Sequence, residues 1–152
     1  GQQAGLSWIT LLRKRQNLLL AYNNFDPDLL ANFDALDCER LMKNPNIIRS
    51  KLKINAAINN AKIFIYMRDQ EKINFSEYLW SFINHTPIQN NWHKSKDIPK
   101  YSNVSKIMAA DLKKRGFKFV GPVIVYAFMQ AVGMVNDHTL NCFAHNICRD
   151  LN

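Results

Sequence analysis

Apolar residues recur along this chain at helical spacing, and nowhere do they alternate convincingly with period two. The clearest run is Lys51 to Arg68, where Ile54, Ala57, Ile58, Ala61 and Ile65 fall at i, i+3, i+4, i+7 and i+11. Asn74 with Glu77 resembles a capping box ahead of Phe75, Tyr78, Leu79 and Phe82 at i, i+3, i+4 and i+7. Nearer the start, Ser7 to Gln16 places Ile9 and Leu12 inward and Arg13, Lys14 and Arg15 outward. Asp26 followed by Pro27 is a capping residue and a first-turn proline, and Asp37 is expected to cap a short helix through Met42. Thr86 to Tyr101, with Pro87, Pro99 and a lone Trp92, is the one sizeable irregular segment; helices that need burial flank it, so it reads as a loop rather than a linker. The pattern predicts an all-α fold, a helical bundle of about six to eight helices, in a single domain over residues 1–152.

One stretch, about residues 102–133, carries more than periodicity. Ser102 can cap a helix with Val104, Ile107, Met108 and Leu112 on its apolar side and Lys106, Asp111, Lys113 and Lys114 on its wet side, and Gly116 ends it. After Phe117-Lys118-Phe119-Val120, Gly121 is expected to permit a tight bend and Pro122 suits the first turn of a second helix. That helix, Val123 to Val132, is apolar nearly all round and is expected to be buried. Its amino end would carry free N–H groups beside Lys113, Lys114, Arg115 and Lys118, an arrangement that suits a phosphate. An ordinary helical hairpin with a solvated basic corner has the same pattern.

Charge favours the first reading. Lys and Arg number 20 against 12 Asp and Glu, a net +8 over 152 residues, which attracts a polyanion. No uncharged apolar stretch approaches the roughly 20 residues that span a bilayer, so a membrane partner is not expected. With 47% apolar residues and nine phenylalanines the chain can bury a sizeable core. Three cysteines make no disulfide framework, and a reducing cytoplasm is the expected location. Gly1-Gln2-Gln3-Ala4-Gly5 has no initiator methionine and runs straight into an apolar helix, so residues upstream of Gly1 are expected.

Four segments in order, GQQAGLSWIT (Gly1 to Thr10), WSFINHTP (Trp80 to Pro87), LKKRGFKFVG (Leu112 to Gly121) and VNDHTLNC (Val135 to Cys142), resemble the signature segments of the DNA-3-methyladenine glycosylase I family, bacterial base-excision enzymes of the helix-hairpin-helix class. The resemblance covers essentially the whole chain and is weakest over residues 143–152. It implies hydrolysis of the bond between N3-methyladenine and deoxyribose in double-stranded alkylated DNA by a monomeric enzyme, leaving an abasic site without strand cleavage. A DNA-holding module or inactive fragment without turnover is the alternative.

Residue by residue, the resemblance implies that Trp8 stacks on the flipped base and that Gln3, Gly5 and Leu6 form a turn pressed into the duplex beside the lesion. Lys114, Arg115, Gly116, Lys118 and Gly121 would hold the DNA backbone. The family's pocket glutamate lies immediately before the position matched by Gly1, so no catalytic residue is assigned. His138 and Cys142 match two ligands of a structural Cys2His2 zinc, whose other two, one cysteine and one histidine, fall upstream. His145 or Cys148 are the local candidates for completing a set; packed, reduced thiols are the simpler expectation. Asp137 is expected to cap a helix or orient His138, and His85 to hold a helix end as readily as to touch DNA.

Overall fold

The computed structural model describes residues 1–150. Among them the architecture is all-α: α1 (Trp8–Ala21), α2 (Pro27–Leu30), α3 (Ala35–Lys43), α4 (Lys51–Asp69), α5 (Phe75–Ser81), α6 (Asn103–Lys114), α7 (Pro122–Ala131) and α8 (Phe143–Asp150). Two two-residue strands, β1 (Ile88–Gln89) and β2 (Val135–Asn136), pair in parallel, Ile88 with Val135 and Gln89 with Asn136. No helix among the described residues is long and apolar enough to cross a membrane.

Local chemistry accounts for most helix ends. The Ser7 hydroxyl accepts from the Thr10 amide, the Asp26 carboxylate from the Asp28 and Leu29 amides, and Ser50 from Lys53, each satisfying first-turn donors that have no partner inside the helix. For α3 the cap is Asp34, not Asp37: Asp34 accepts from Leu36 and Asp37, and Asp37 accepts in return from the Asp34 amide. Asp37 stands at the third helical position of a capping box, a role that spacing alone does not separate from the cap. Ser102 caps α6 as expected, in a reciprocal pair with Ser105.

Two compact units are formed. The first comprises residues 1–74 and 112–120. Its core gathers Leu18, Ala21 and Tyr22 of α1 and its end, Leu30, Leu41, Ile47, and Ile54, Ile58 and Ala61 of α4. The long α4 buries Ile54, Ile58 and Ala61 of the predicted stripe, while Ala57 and Ile65 are only half-buried and Ala56 and Met67 are buried beside them. In α1 the expectation fails: Ile9 and Leu12 are exposed, and the buried residues are Leu18 and Ala21, in the stretch by which the helix extends past Gln16.

The second unit comprises residues 75–111 and 121 onward. Leu79, Ile83, Met108, Ala109, Val125, Tyr126, Met129, Met134 and Val135 are buried there. The helix expected at Val123 to Val132 starts one residue earlier and is not buried all round: Val125, Tyr126 and Met129 are covered, whereas Val123, Phe128 and Val132 are exposed.

Candidate nucleic-acid interface

The N-terminal residues fold back on themselves. The Ala4 amide donates to the Gly1 carbonyl (3.1 Å) and Leu6 to Gln3 (2.8 Å), with Gly5 at φ +73, a conformation that costs glycine little. The turn is tied to α4 by Lys53, whose ammonium donates to the carbonyls of Gln2 (2.8 Å) and Ala4 (2.6 Å). Lys53 is buried, and burial pushes its pKa below the usual lysine value. The turn leaves Leu6 and Trp8 exposed, Trp8 at 54% on the first turn of α1.

Two turns further along α4, Asn60 forms a two-point backbone pair with Lys118. Its Nδ2 donates to the Lys118 carbonyl (3.0 Å) and its Oδ1 accepts from the Lys118 amide (2.8 Å). Asn59 donates to the Gly116 carbonyl (3.0 Å) and also to Asn60 Oδ1 (3.3 Å), which sets the orientation of the Asn60 amide. The segment so held is the end of α6. Phe117 N–H donates to Leu112 O (3.0 Å) and Gly116 N–H to Lys113 O (2.9 Å), a Schellman closure with glycine in the left-handed position at φ +96.

Between these two attachments lies a cavity of 420 Å³ walled by Gly1, Gln2, Lys53, Asn60 and Phe119, with Phe25 and Phe64 adding aromatic surface. Trp8 is not among its lining residues.

Gly121, where a tight bend is expected, has φ −67, stands as the cap residue of α7 without a side-chain cap, and a Cβ there would meet open space. The left-handed positions are Gly116 and Phe119, the latter at φ +55. Arg115 is engaged by Glu71 (2.9 Å), so its guanidinium has an intramolecular partner, whereas Lys113, Lys114 and Lys118 are exposed.

Asp137 is the charged hub of the second unit. Its carboxylate accepts from Asn90 Nδ2 (2.8 Å), Trp92 Nε1 (2.7 Å), Gln130 Nε2 (2.7 Å) and the Tyr126 hydroxyl. Burial favours the neutral acid, but the four donors outweigh it and hold the carboxyl below the usual aspartate range. Burial, then the contact with Asp137, raises the Tyr126 phenol, so it remains a donor. In place of the expected helix cap or orienter for His138, Asp137 binds Asn90, Trp92, Gln130 and Tyr126, and the His138 amide donates to Asn136 Oδ1 (3.3 Å). Trp92, read from sequence only as a loop residue, fastens that loop.

His138 Nδ1 and Cys142 Sγ lie 3.6 Å apart. Two corners of a tetrahedral zinc site with sulfur and nitrogen ligands are about 3.5 Å apart, so this pair fits half of such a site. The other half is not supplied locally. His145 is buried with Nε2 on the Asn90 carbonyl (3.0 Å), and among the described residues no group of three His, Cys, Asp or Glu side chains could hold a metal. His145 and Cys148 thus form no improvised set with His138 and Cys142. Cys38, Cys142 and Cys148 are free thiols. His85 closes the end of α5 with its amide on the Trp80 carbonyl (3.0 Å), and its ring faces Glu77 (3.4 Å).

Of the residues singled out from sequence, Gln3, Gly5, Leu6, Lys114, Arg115, Gly116 and Lys118 lie in the first unit, with Trp8 exposed at the start of α1; Gly121, His138 and Cys142 lie in the second. Lys53, Asn59 and Asn60 belong to no motif of the sequence, and Phe119 reads there only as part of the turn. The available signal was two polar residues, seven apart, beside the apolar stripe of α4.

Known proteins resemble the chain throughout. The DNA-3-methyladenine glycosylase of Haemophilus influenzae (strain Rd) is 45% identical over 142 residues, 93% of this chain and 76% of the relative. A crystal structure of 3-methyladenine DNA glycosylase I superposes with a TM-score of 0.91 at 46% identity, covering 95% of this chain and 79% of that one. A variant of such an enzyme in complex with 3-methyladenine has a TM-score of 0.88 at 34% identity, covering 95% and 77%. The family model for methyladenine glycosylase matches residues 1–145, and with it the chain belongs to the methyladenine glycosylase family.

Proposed function

We propose that this protein is a base-excision repair glycosylase that hydrolyses the bond between N3-methyladenine and deoxyribose in double-stranded DNA, leaving an abasic site. The observation that carries this reading is the similarity, over 95% of the chain, to an enzyme structure in complex with 3-methyladenine. The Lys113–Lys118 turn supports it by presenting ammonium groups on a backbone held by two asparagines.

The chemistry requires little from the protein. Methylation at N3 makes the base cationic and hence a good leaving group. As its bond to the sugar breaks, the electron pair leaves with the base and the sugar develops oxocarbenium character. Water adds to the anomeric carbon and gives its proton to solvent, and neutral 3-methyladenine is released. The protein must extrude the nucleotide, hold the base and admit water. Trp8, exposed and aromatic, suits contact with a cationic ring, worth about 2 kcal/mol once water is excluded. His138 and Cys142 would hold half of a structural zinc site, which takes no part in the bond cleavage.

Release of free 3-methyladenine from methylated duplex tests the activity. We expect release by the protein, and a loss of about tenfold or more in rate for Trp8→Ala, which removes a cation–aromatic contact of that size. Salt-dependent duplex binding without base release would leave only a DNA-holding module. Lys118→Ala is expected to weaken binding to all duplexes and reduce the slope of log affinity against log salt by about one, as for a phosphate contact. An unchanged slope would remove Lys118 from the interface.

A further inference from the structure

Two turns of the first unit are fastened to one helix by different chemistry. Lys53 holds the carbonyls of Gln2 and Ala4, and Asn60 pairs with both backbone groups of Lys118. Seven residues apart on α4, the two side chains stand about 10 Å apart along the axis and within about 20° on the same face, since two helical turns hold 7.2 residues. The cavity between them is lined by the same face, through Ala56 and Ala57.

We propose that α4 acts as a ruler, with Lys53 and Asn60 as positioning residues that fix the spacing between the Gln3–Leu6 turn and the Lys113–Lys118 turn, so that one sits at the vacated base position while the other holds the backbone. The inference rests on the proposed reading of both turns as DNA contacts. A nonspecific staple would need only one attachment of any kind. Here both partners are backbone atoms, so the clamps set main-chain position and leave the side chains of Gln3, Leu6, Lys114 and Lys118 uncommitted to them. Lys53 donates to two carbonyls that one side chain reaches only when the turn is closed. Asn60 uses donor and acceptor together, so a shift of the Lys118 backbone along α4 breaks both bonds at once.

The test compares affinity for a duplex containing a tetrahydrofuran abasic-site analogue with affinity for the matching intact duplex. Lys53→Met and Asn60→Ala contact no phosphate, so each should keep the salt slope of the unaltered protein. Each should lose about tenfold or more of the preference for the analogue, since a misplacement of about 1 Å can cost as much as about a hundredfold. Combining them should cost no more than the worse single change, since both act on one spacing. Asn59→Ala, which leaves the Asn60–Lys118 pair in place but frees its orientation and the Gly116 carbonyl, should shift the preference in the same direction by a smaller factor and guards against a misfolded variant. Variants that melt cooperatively and keep the full preference would overturn the proposal, as would losses that simply multiply. Failure of the unaltered protein to bind duplex in a salt-dependent way would instead sink the reading on which the ruler rests.

Discussion

Asp137→Ala is expected to lower stability by about 4 kcal/mol, with four donors from Asn90, Trp92, Gln130 and Tyr126 left without their acceptor. For a chain of this length that lowers the melting temperature by about 8–16 °C. The cost exceeds that of a typical surface change because one carboxylate gathers a loop, α7 and β2, and no neighbouring group replaces it. The contribution also depends on pH. The folded-state value lies below the unfolded one, so the stabilisation is fully present above the usual aspartate range and is lost as pH falls below about 4 towards the folded value. Asp137→Asn should therefore be less stable than the unaltered protein at neutral pH, with the difference shrinking in acid. Thermal melts of both proteins between neutral pH and pH 3 check this; a constant difference would show that the carboxylate charge is not the source.

Gly116→Val should be the second large effect. At φ +96 a β-branched residue is strained, and the added Cβ would meet Ile63 Cδ1 at 3.2 Å. We expect a loss of about 3 kcal/mol from strain, crowding and a disturbed Schellman closure. Because Asn59 holds the Gly116 carbonyl and Asn60 the adjoining Lys118 backbone, duplex affinity should fall with it. Gly121→Ala separates the two consequences. Its φ of −67 suits alanine and its Cβ position is open, so stability should change by no more than about 0.5 kcal/mol. A loss of DNA affinity at unchanged melting temperature would then mark close approach of DNA to Gly121. Equal stability of Gly116→Val and the unaltered protein in denaturant titrations would refute the strain argument.

Much of this is legible in the sequence. The all-α class follows from periodicity, the α4 stripe holds at Ile54, Ile58 and Ala61, and Asp26, Ser102 and Gly116 start or end their helices as expected. These are short-range effects in which a residue and its neighbours within a turn supply both partners. Failures occurred where partners are remote. Ile9 and Leu12 have the right spacing for a core and are exposed, because burial depends on what else reaches that face. Asp34 and Asp37 satisfy the same local rule, and only the geometry assigns cap and third position.

The candidate site divides the same way. The sequence by itself determined the family, the basic turn between two helices, the aromatic at the start of α1 and the His138–Cys142 pair, since each is a matter of residue type and short spacing. Only the tertiary structure decided that Arg115 is engaged by Glu71, that Phe119 rather than Gly121 adopts the left-handed conformation, that Asp137 is a buried hub, and that Lys53 and Asn60 hold two distant turns. The partners of Arg115, Lys53 and Asn60, and Asn90 and Trp92 of the Asp137 hub, are 44 to 58 residues away in the chain. A lysine or asparagine beside an apolar stripe looks solvated in a sequence; it becomes a clamp only when folding brings to it a backbone whose hydrogen bonds water no longer satisfies.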